Sequence, residues 1–172
     1  AEPFLNSIQS VGFTDVVAVP DTHQRSLIDI LSKHETPRFI QAATEDEAIA
    51  IAAGLIVGGR VPLVQIQHAG LYASVNHLRG IAEDGRFPMV LLIGLLSRDS
   101  ELLPQEHGGS MVRLAQPLLD TFDIPHYLME KEEDLNFIES AYQLAQEREG
   151  PVALLVGVAT SLSKLILPAK IS

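Results

Sequence analysis

The chain has 172 residues, a formal net charge of −10, 47% apolar and 20% charged residues, and no cysteine. That is enough chain for one domain with a proper core. So acidic a balance, without clustered Lys and Arg, argues against nonspecific binding to nucleic acid or anionic membranes, and the missing cysteines exclude disulfides, thiolate catalysis and Cys-ligated zinc.

No apolar run reaches the ~18 residues of a membrane span. The first residues, AEPFLNSIQSVG, lack the basic region and long apolar core of a signal peptide. The simplest expectation is a soluble, cytoplasmic protein.

Apolar periodicity and chain breakers predict a steady alternation of elements. Pro3 to Val11 reads as a helix stopped by Gly12, and Asp15 to Val19 as a short buried strand ended by Pro20. A helix follows over Thr22 to Lys33, capped by Thr22 or Asp21. After Pro37, Arg38 to Ala42 reads as a second strand.

Thr44 to Gly59, TEDEAIAIAAGLIVGG, is the most unusual stretch. Thr44 is a good N-cap, and Glu47 three residues on completes a capping box. Glu45, Asp46 and Glu47 suit the positive end of the helix dipole. The residues that follow leave no polar face, so this helix is expected to be buried all round.

Val61 to Gln67 reads as a third strand, and Leu71 to Glu83 as a helix after a small-residue turn at Ala69–Gly70. Pro88 to Gly94 is the clearest buried strand. A polar loop leads to Met111 to Phe122, helical despite a kink or new turn at Pro117. His126 to Met129 is a strand, Glu132 to Glu149 an amphipathic helix, and Pro151 to Val158 a last strand. The tail from Thr160 to Ser172 is weakly patterned and is expected to pack on a partner.

Six near-continuous apolar strands alternating with helices predict an α/β fold: a doubly wound, mainly parallel six-stranded sheet with helices on both faces, as one domain over residues 1–172. Ligands bind such sheets outside the carboxyl ends of the strands. Those ends are Pro20–Asp21–Thr22, Thr44–Glu45, Gln67–His68–Ala69–Gly70 and the stretch from Gly94 through Gly109. All are polar or small, whereas Gly59–Arg60 and Gly85–Arg86 at the opposite ends read as plain turns.

The phosphate-loop, dinucleotide, zinc-protease and nucleophile-elbow motifs are absent. Single residues have plain structural explanations beside functional ones. His107, next to Glu106 in a Gly-rich loop, is either a site residue or a solvated loop histidine. His34 and His126 read as surface or packing residues, while His23 sits beside a strand end. Gln65 and Gln67 make one face of the third strand polar at its end, and either satisfy neighbouring helix termini or serve a site. Ser74 and Asn76 read as the exposed face of a helix.

Five stretches together, VPDT at 19–22, TEDEAIAIAAG at 44–54, QIQHAGLYASVNHL at 65–78, PMVLLIG at 88–94 and PQEHGG at 104–109, resemble the pyrimidine-binding domain of thiamine-diphosphate enzymes. Within that superfamily they look most like the sulfopyruvate and phosphonopyruvate decarboxylases. The likeness is good over Val17 to Gly109 and rests on strand order elsewhere. It implies that the catalytic glutamate, nine residues before the glycine of the A-A-G turn (54 − 9 = 45), is Glu45. It would hydrogen-bond the N1′ atom of the cofactor's aminopyrimidine, leaving Glu47 to the cap.

The resemblance further implies cofactor contacts from Pro20, Thr44, Glu45, Gln67, His68 and Gly70. It implies substrate contacts from Asp21, His68, Tyr72, Asn76 and His107, with a small anionic 2-oxo acid as substrate. His68, Arg98 and His107 together could hold an anionic head group. Where the family has Asn-Ser after the third strand this chain has His68–Ala69, and Tyr72 replaces the family's second glycine. No metal ligand is expected here. The family's G-D-G and later N-N, which hold the diphosphate and its Mg²⁺ on a separate domain, do not occur in this chain. The expectation is half an active site: the pyrimidine-binding subunit or domain of a thiamine-diphosphate-dependent decarboxylase. It would be completed by a diphosphate-binding partner in an oligomer. A carboligase of the same superfamily, or a non-catalytic subunit that kept the fold, are the alternatives.

Overall fold

The apolar runs become six strands: β1 (Asp15–Ala18), β2 (Arg38–Gln41), β3 (Pro62–Gln67), β4 (Val90–Gly94), β5 (His126–Met129) and β6 (Val152–Val156). In the computed structural model, which describes residues 1–160, they form one sheet in the order β2-β1-β3-β4-β6-β5. Every pairing is parallel.

Alternate side chains feed two cores, which is why the central strands read as continuous apolar runs. Val17, Val64, Ile66, Leu91 and Ile93 lie in one cluster with Ala48, Ile49, Leu71 and Leu119. Val16, Ala18, Leu63, Val90 and Leu92 lie in the other with Ile8, Leu27 and Ile138. After β2 the chain crosses to the far side of β1 to lay down β3. The order therefore reverses between β1 and β3, and a crevice opens at their carboxyl ends.

The helices differ from expectation in instructive ways. Helix α1 (Glu2–Val11) ends at Gly12, whose φ of 91° only glycine adopts easily. Helix α2 (Arg25–Leu31) begins later than the expected Thr22 and has Gln24 as its N-cap residue. Asp21 takes the backbone N–H of His23 and holds the intervening residues in a turn. Helix α3 (Glu45–Val57) starts where expected, with Thr44 extended at the N-cap. The capping box forms only in part: Thr44 makes no side-chain cap bond, and Glu47 accepts the N–H of Ala43 at 2.6 Å.

Nor is α3 buried all round. Ala50 and Gly54 are exposed, and Val57 keeps 77% of its surface. The expected helix from Leu71 to Glu83 is three pieces, α4 (His68–Ala73), α5 (Val75–His77) and a π-helical stretch, Leu78–Glu83. Helix α4 begins at the very end of β3, so Ala69 and Gly70 form its first turn rather than a separate loop. Ser74, expected on an exposed face, is fully buried at the break and donates its hydroxyl to Gly70 O at 2.7 Å.

The expected helix from Met111 splits at Leu114 into α6 (Ser110–Arg113) and α7 (Ala115–Thr121). Pro117 falls in the first turn of α7, where its missing N–H costs nothing. Helix α8 (Asn136–Arg148) follows a 3₁₀ turn, Glu132–Leu135. Among the described residues no helix is long and apolar enough to cross a membrane. The expected packing of the tail beyond Thr160 on a partner lies outside the described residues.

Candidate cofactor site

Glu45, at the first position of α3, lies across Gly70 in the first turn of α4. A Cβ on Gly70 would overlap the Cγ, Cδ and Oε1 atoms of Glu45. Glycine is thus required here by a close approach, and it seats a half-buried carboxylate at the mouth of the crevice. Asp46 beside it is held below the usual carboxylate range by a hydrogen bond from the Thr44 side chain and one from the backbone N–H of Glu47. Of the three acids, Asp46 and Glu47 serve the helix start, and Glu45 is the one turned onto the neighbouring strand's exit.

Asp21 is 5% exposed and lies under this edge. Its carboxylate accepts the N–H of His23 at 2.9 Å, the amide of Gln67 at 2.6 Å and the amide of Gln24 at 3.2 Å. Gln24, fully buried, also donates to Ile66 O at 2.9 Å and accepts from Gln65 at 3.4 Å. Gly94 at the end of β4 makes room, since a Cβ there would stand 2.6 Å from Asp21 Oδ2 and 2.9 Å from Gln24 Nε2. Gln65 and Gln67 therefore bond side chains at the start of α2 rather than helix-terminal backbone. Neither Gln24 nor Gly94 was singled out by sequence. Their signal, a polar residue three positions after Asp21 and a glycine closing an apolar strand, is too common to read alone.

His68, 4% exposed, places Nε2 3.1 Å from Leu96 O. A carbonyl only accepts, so Nε2 carries the proton. Burial pushes the imidazole's pKa down, outweighing its bond to Leu96 O and the charge of Asp21. His68 is therefore neutral at pH 7, with a buried, unpartnered Nδ1 lone pair. Tyr72, half-buried, donates to Met111 O at 2.8 Å and ties α4 to the start of α6. Burial raises its pKa.

The remaining expected residues are spread further. Pro20 and Thr44 are exposed on the same strand edge. Asn76 is exposed on α5 and accepts from Arg79 at 3.1 Å. His107 accepts the N–H of Gly109 at 3.3 Å within its own loop. His23 is buried and reaches Val156 O at 2.9 Å. Arg98 pairs with Glu130, and its Nε and Nη1 are buried without a hydrogen-bond partner. Its side chain is 2% exposed and stands 3.0 Å from Glu130 Oε1 in an ion pair whose angles do not make a hydrogen bond.

A sequence profile described as "Thiamine pyrophosphate enzyme, N-terminal TPP binding domain" matches residues 1–116. The chain belongs to this family. It is 25% identical over 161 residues to sulfopyruvate decarboxylase subunit alpha of Methanococcus maripaludis, covering 91% of this chain and 93% of that one. It is 30% identical over 125 residues to phosphonopyruvate decarboxylase of Streptomyces viridochromogenes, covering 72% of this chain and 31% of that one. The fold superimposes on benzoylformate decarboxylase from Polynucleobacter necessarius with a TM-score of 0.72 at 20% identity, covering 99% of this chain and 32% of that structure. The chain thus spans about a third of that protein and nearly all of the alpha subunit. At the crevice this domain presents a half-buried carboxylate, Glu45, set against Gly70. The Glu45–Gly70 cradle fits an aminopyrimidine, because a carboxyl can share one proton with a ring nitrogen.

Proposed function

We propose that this chain is the pyrimidine-binding subunit of a thiamine-diphosphate-dependent decarboxylase of 2-oxo acids, inactive until a diphosphate-binding partner completes the site. The observation that carries this reading is Glu45 seated across Gly70 at the β1/β3 crevice. The alpha-subunit relatives support a two-subunit enzyme. The partner would bring the G-D-G and N-N residues and the Mg²⁺ that neutralises the diphosphate.

In this reading Glu45 holds a proton against the aminopyrimidine ring nitrogen, and the N-terminus of α3 fixes the direction of its side chain. Gly70 leaves room for that approach. Gln67 is anchored by Asp21, which Gln24 braces in turn. Bound thiamine diphosphate supplies the nucleophilic carbon and the electron sink for loss of CO₂; the protein positions it and tunes its ring.

The test is reconstitution of the chain with its partner, thiamine diphosphate and Mg²⁺, with CO₂ release measured on a panel of 2-oxo acids. Glu45→Gln should abolish turnover of the assembled enzyme. Glu47→Gln should keep turnover and lose about 1 kcal/mol of stability with its helix-capping bond. An active Glu45→Gln enzyme, or turnover by the chain alone, sinks the proposal.

A further inference from the structure

The bond between Asp21 and Gln67 spans the point where the strand order reverses. Gln67 is the last residue of β3, and Asp21 stands just past the end of β1. Gly70, against which Glu45 lies, is in the first turn of α4, and that helix begins at the residue after Gln67. The two side chains thus join the carboxyl ends of the strands between which the crevice opens.

This bond decides which way the Gln67 amide faces. A carboxylate only accepts. Asp21 takes the N–H of His23 and the amide of Gln24, and Gln24 is itself kept in place by Ile66 O and by the missing side chain of Gly94. Gln67 must therefore turn its nitrogen toward Asp21, at 2.6 Å, and its oxygen away. That oxygen accepts no hydrogen bond among the described residues, and it is not sealed from solvent. Two other unpartnered acceptors of this edge, Gln65 Oε1 and His68 Nδ1, are buried. Gln67 thus offers a ligand an oxygen that can only accept.

Resting on the decarboxylase reading above, we infer that Gln67 Oε1 receives the exocyclic amino group of the cofactor's pyrimidine, and that Asp21 is the positioning residue that makes Gln67 an obligate acceptor. That amino group is the ring's own hydrogen-bond donor, across the ring from the nitrogen that shares a proton with Glu45. An amide free to turn over would present N–H groups to it half the time. Held by Asp21, Gln67 presents oxygen alone. Glu45 and Gln67 then read opposite sides of one ring, and a pyrimidine without the amino group loses only the second contact.

The experiment titrates the complex of this chain with its partner, in Mg²⁺, with thiamine diphosphate and with 4′-deaminothiamine diphosphate, which lacks only the amino group. The ratio of the two Kd values is the readout. The wild type should prefer the natural cofactor. Gln67→Met keeps the bulk of the side chain without its amide and should shrink that preference about three- to tenfold, the worth of one hydrogen bond. Asp21→Asn is isosteric but can donate as well as accept, and it should shrink the ratio in the same direction and by less. A variant that merely disturbs the fold weakens both cofactors alike and leaves the ratio unchanged. A wild type without a preference, or an unchanged ratio in Gln67→Met with both cofactors still bound, overturns the inference and leaves the decarboxylase reading standing. A ratio reduced in Gln67→Met but unchanged in Asp21→Asn overturns the part given to Asp21. A complex that binds no thiamine diphosphate removes the decarboxylase reading and the inference with it.

Discussion

Gly70 and Glu45 are 25 positions apart in sequence and share one volume in the fold. The carboxylate lies where the glycine lacks a side chain, so the two residues act as one unit. Gly70→Ala tests this. Alanine is the better helix former by about 1 kcal/mol, and the atoms it would displace belong to one partly exposed side chain. The isolated chain should keep its fold and its Tm within a few degrees. The reconstituted enzyme should bind thiamine diphosphate more weakly and lose most of its turnover, read by titration of the cofactor and by CO₂ release. An unchanged cofactor affinity would show that the Glu45 carboxyl tolerates displacement. Glu45 itself was legible in sequence only through the spacing of a family pattern, since three adjacent acids at a helix start look alike. Gly70 was legible as a strand-end glycine, and its reason appears only when α3 is set against α4.

At the scale of elements, the two edges of the sheet are built for different work. The carboxyl edge carries the Asp21–Gln24–Gln67 brace, which ties the ends of β1 and β3 to the start of α2. The amino edge is clamped by Asp15, whose side chain is fully buried and receives Arg38 at 2.8 Å, Thr14 at 2.7 Å and Arg60. Burial alone would push that carboxyl up, but the hydrogen bonds from Arg60, Thr14 and Arg38 outweigh it and hold it below its ordinary value. One residue thereby joins the starts of β1, β2 and β3. Asp15→Asn should cost about 2 kcal/mol, the range of hydrogen bonds to a charged group. The sign of the pH effect follows from a folded-state pKa that is depressed. The stabilisation is fully present above the unfolded carboxylate value of about 4 and is lost as pH falls through the lower folded value. Urea unfolding of both proteins from pH 7 to pH 2 should show a gap that is constant above about pH 4 and closes on further acidification. Arg60 was read as a plain turn residue because nothing in its neighbourhood in sequence announces Asp15.

Over the whole molecule, helix α3 poses a question that the chain alone does not answer. Its buried side, with Ala48, Ile49, Ala52 and Ala53, packs on the sheet and on α4 and α5. Its outer side, with Ala50, Gly54 and Val57, is uncharged and open to solvent. Gly54 meets no neighbour, has no positive φ, and sits mid-helix, where glycine is destabilising by about 1 kcal/mol relative to alanine. In the two-subunit reading proposed above, a close approach of the partner's backbone across this face would be the reason for that glycine. Gly54→Leu should therefore raise the Tm of the isolated chain by about 2–4 °C and weaken its assembly with the partner, measured by sedimentation of the mixed subunits. Equal or tighter assembly would assign the partner contact to another face.

Much of the architecture follows from local physics written along the chain. Runs such as VLLIG and VALLV are apolar at every position, which suits only strands covered on both faces, and their alternation with helices leaves few topologies. The ligand edge follows from strand direction, and the acids of α3 and the strand-end glycine fall there without any tertiary information. What the sequence could not decide are matters of long-range proximity. Gln24 becomes the centre of a polar brace, Arg98 pairs with Glu130, Ser74 is buried by a break in a helix, and Gly70 makes room for Glu45. Each depends on which distant residue fills the adjoining space. Apolar periodicity reports that a side chain will be covered, and only packing decides by what.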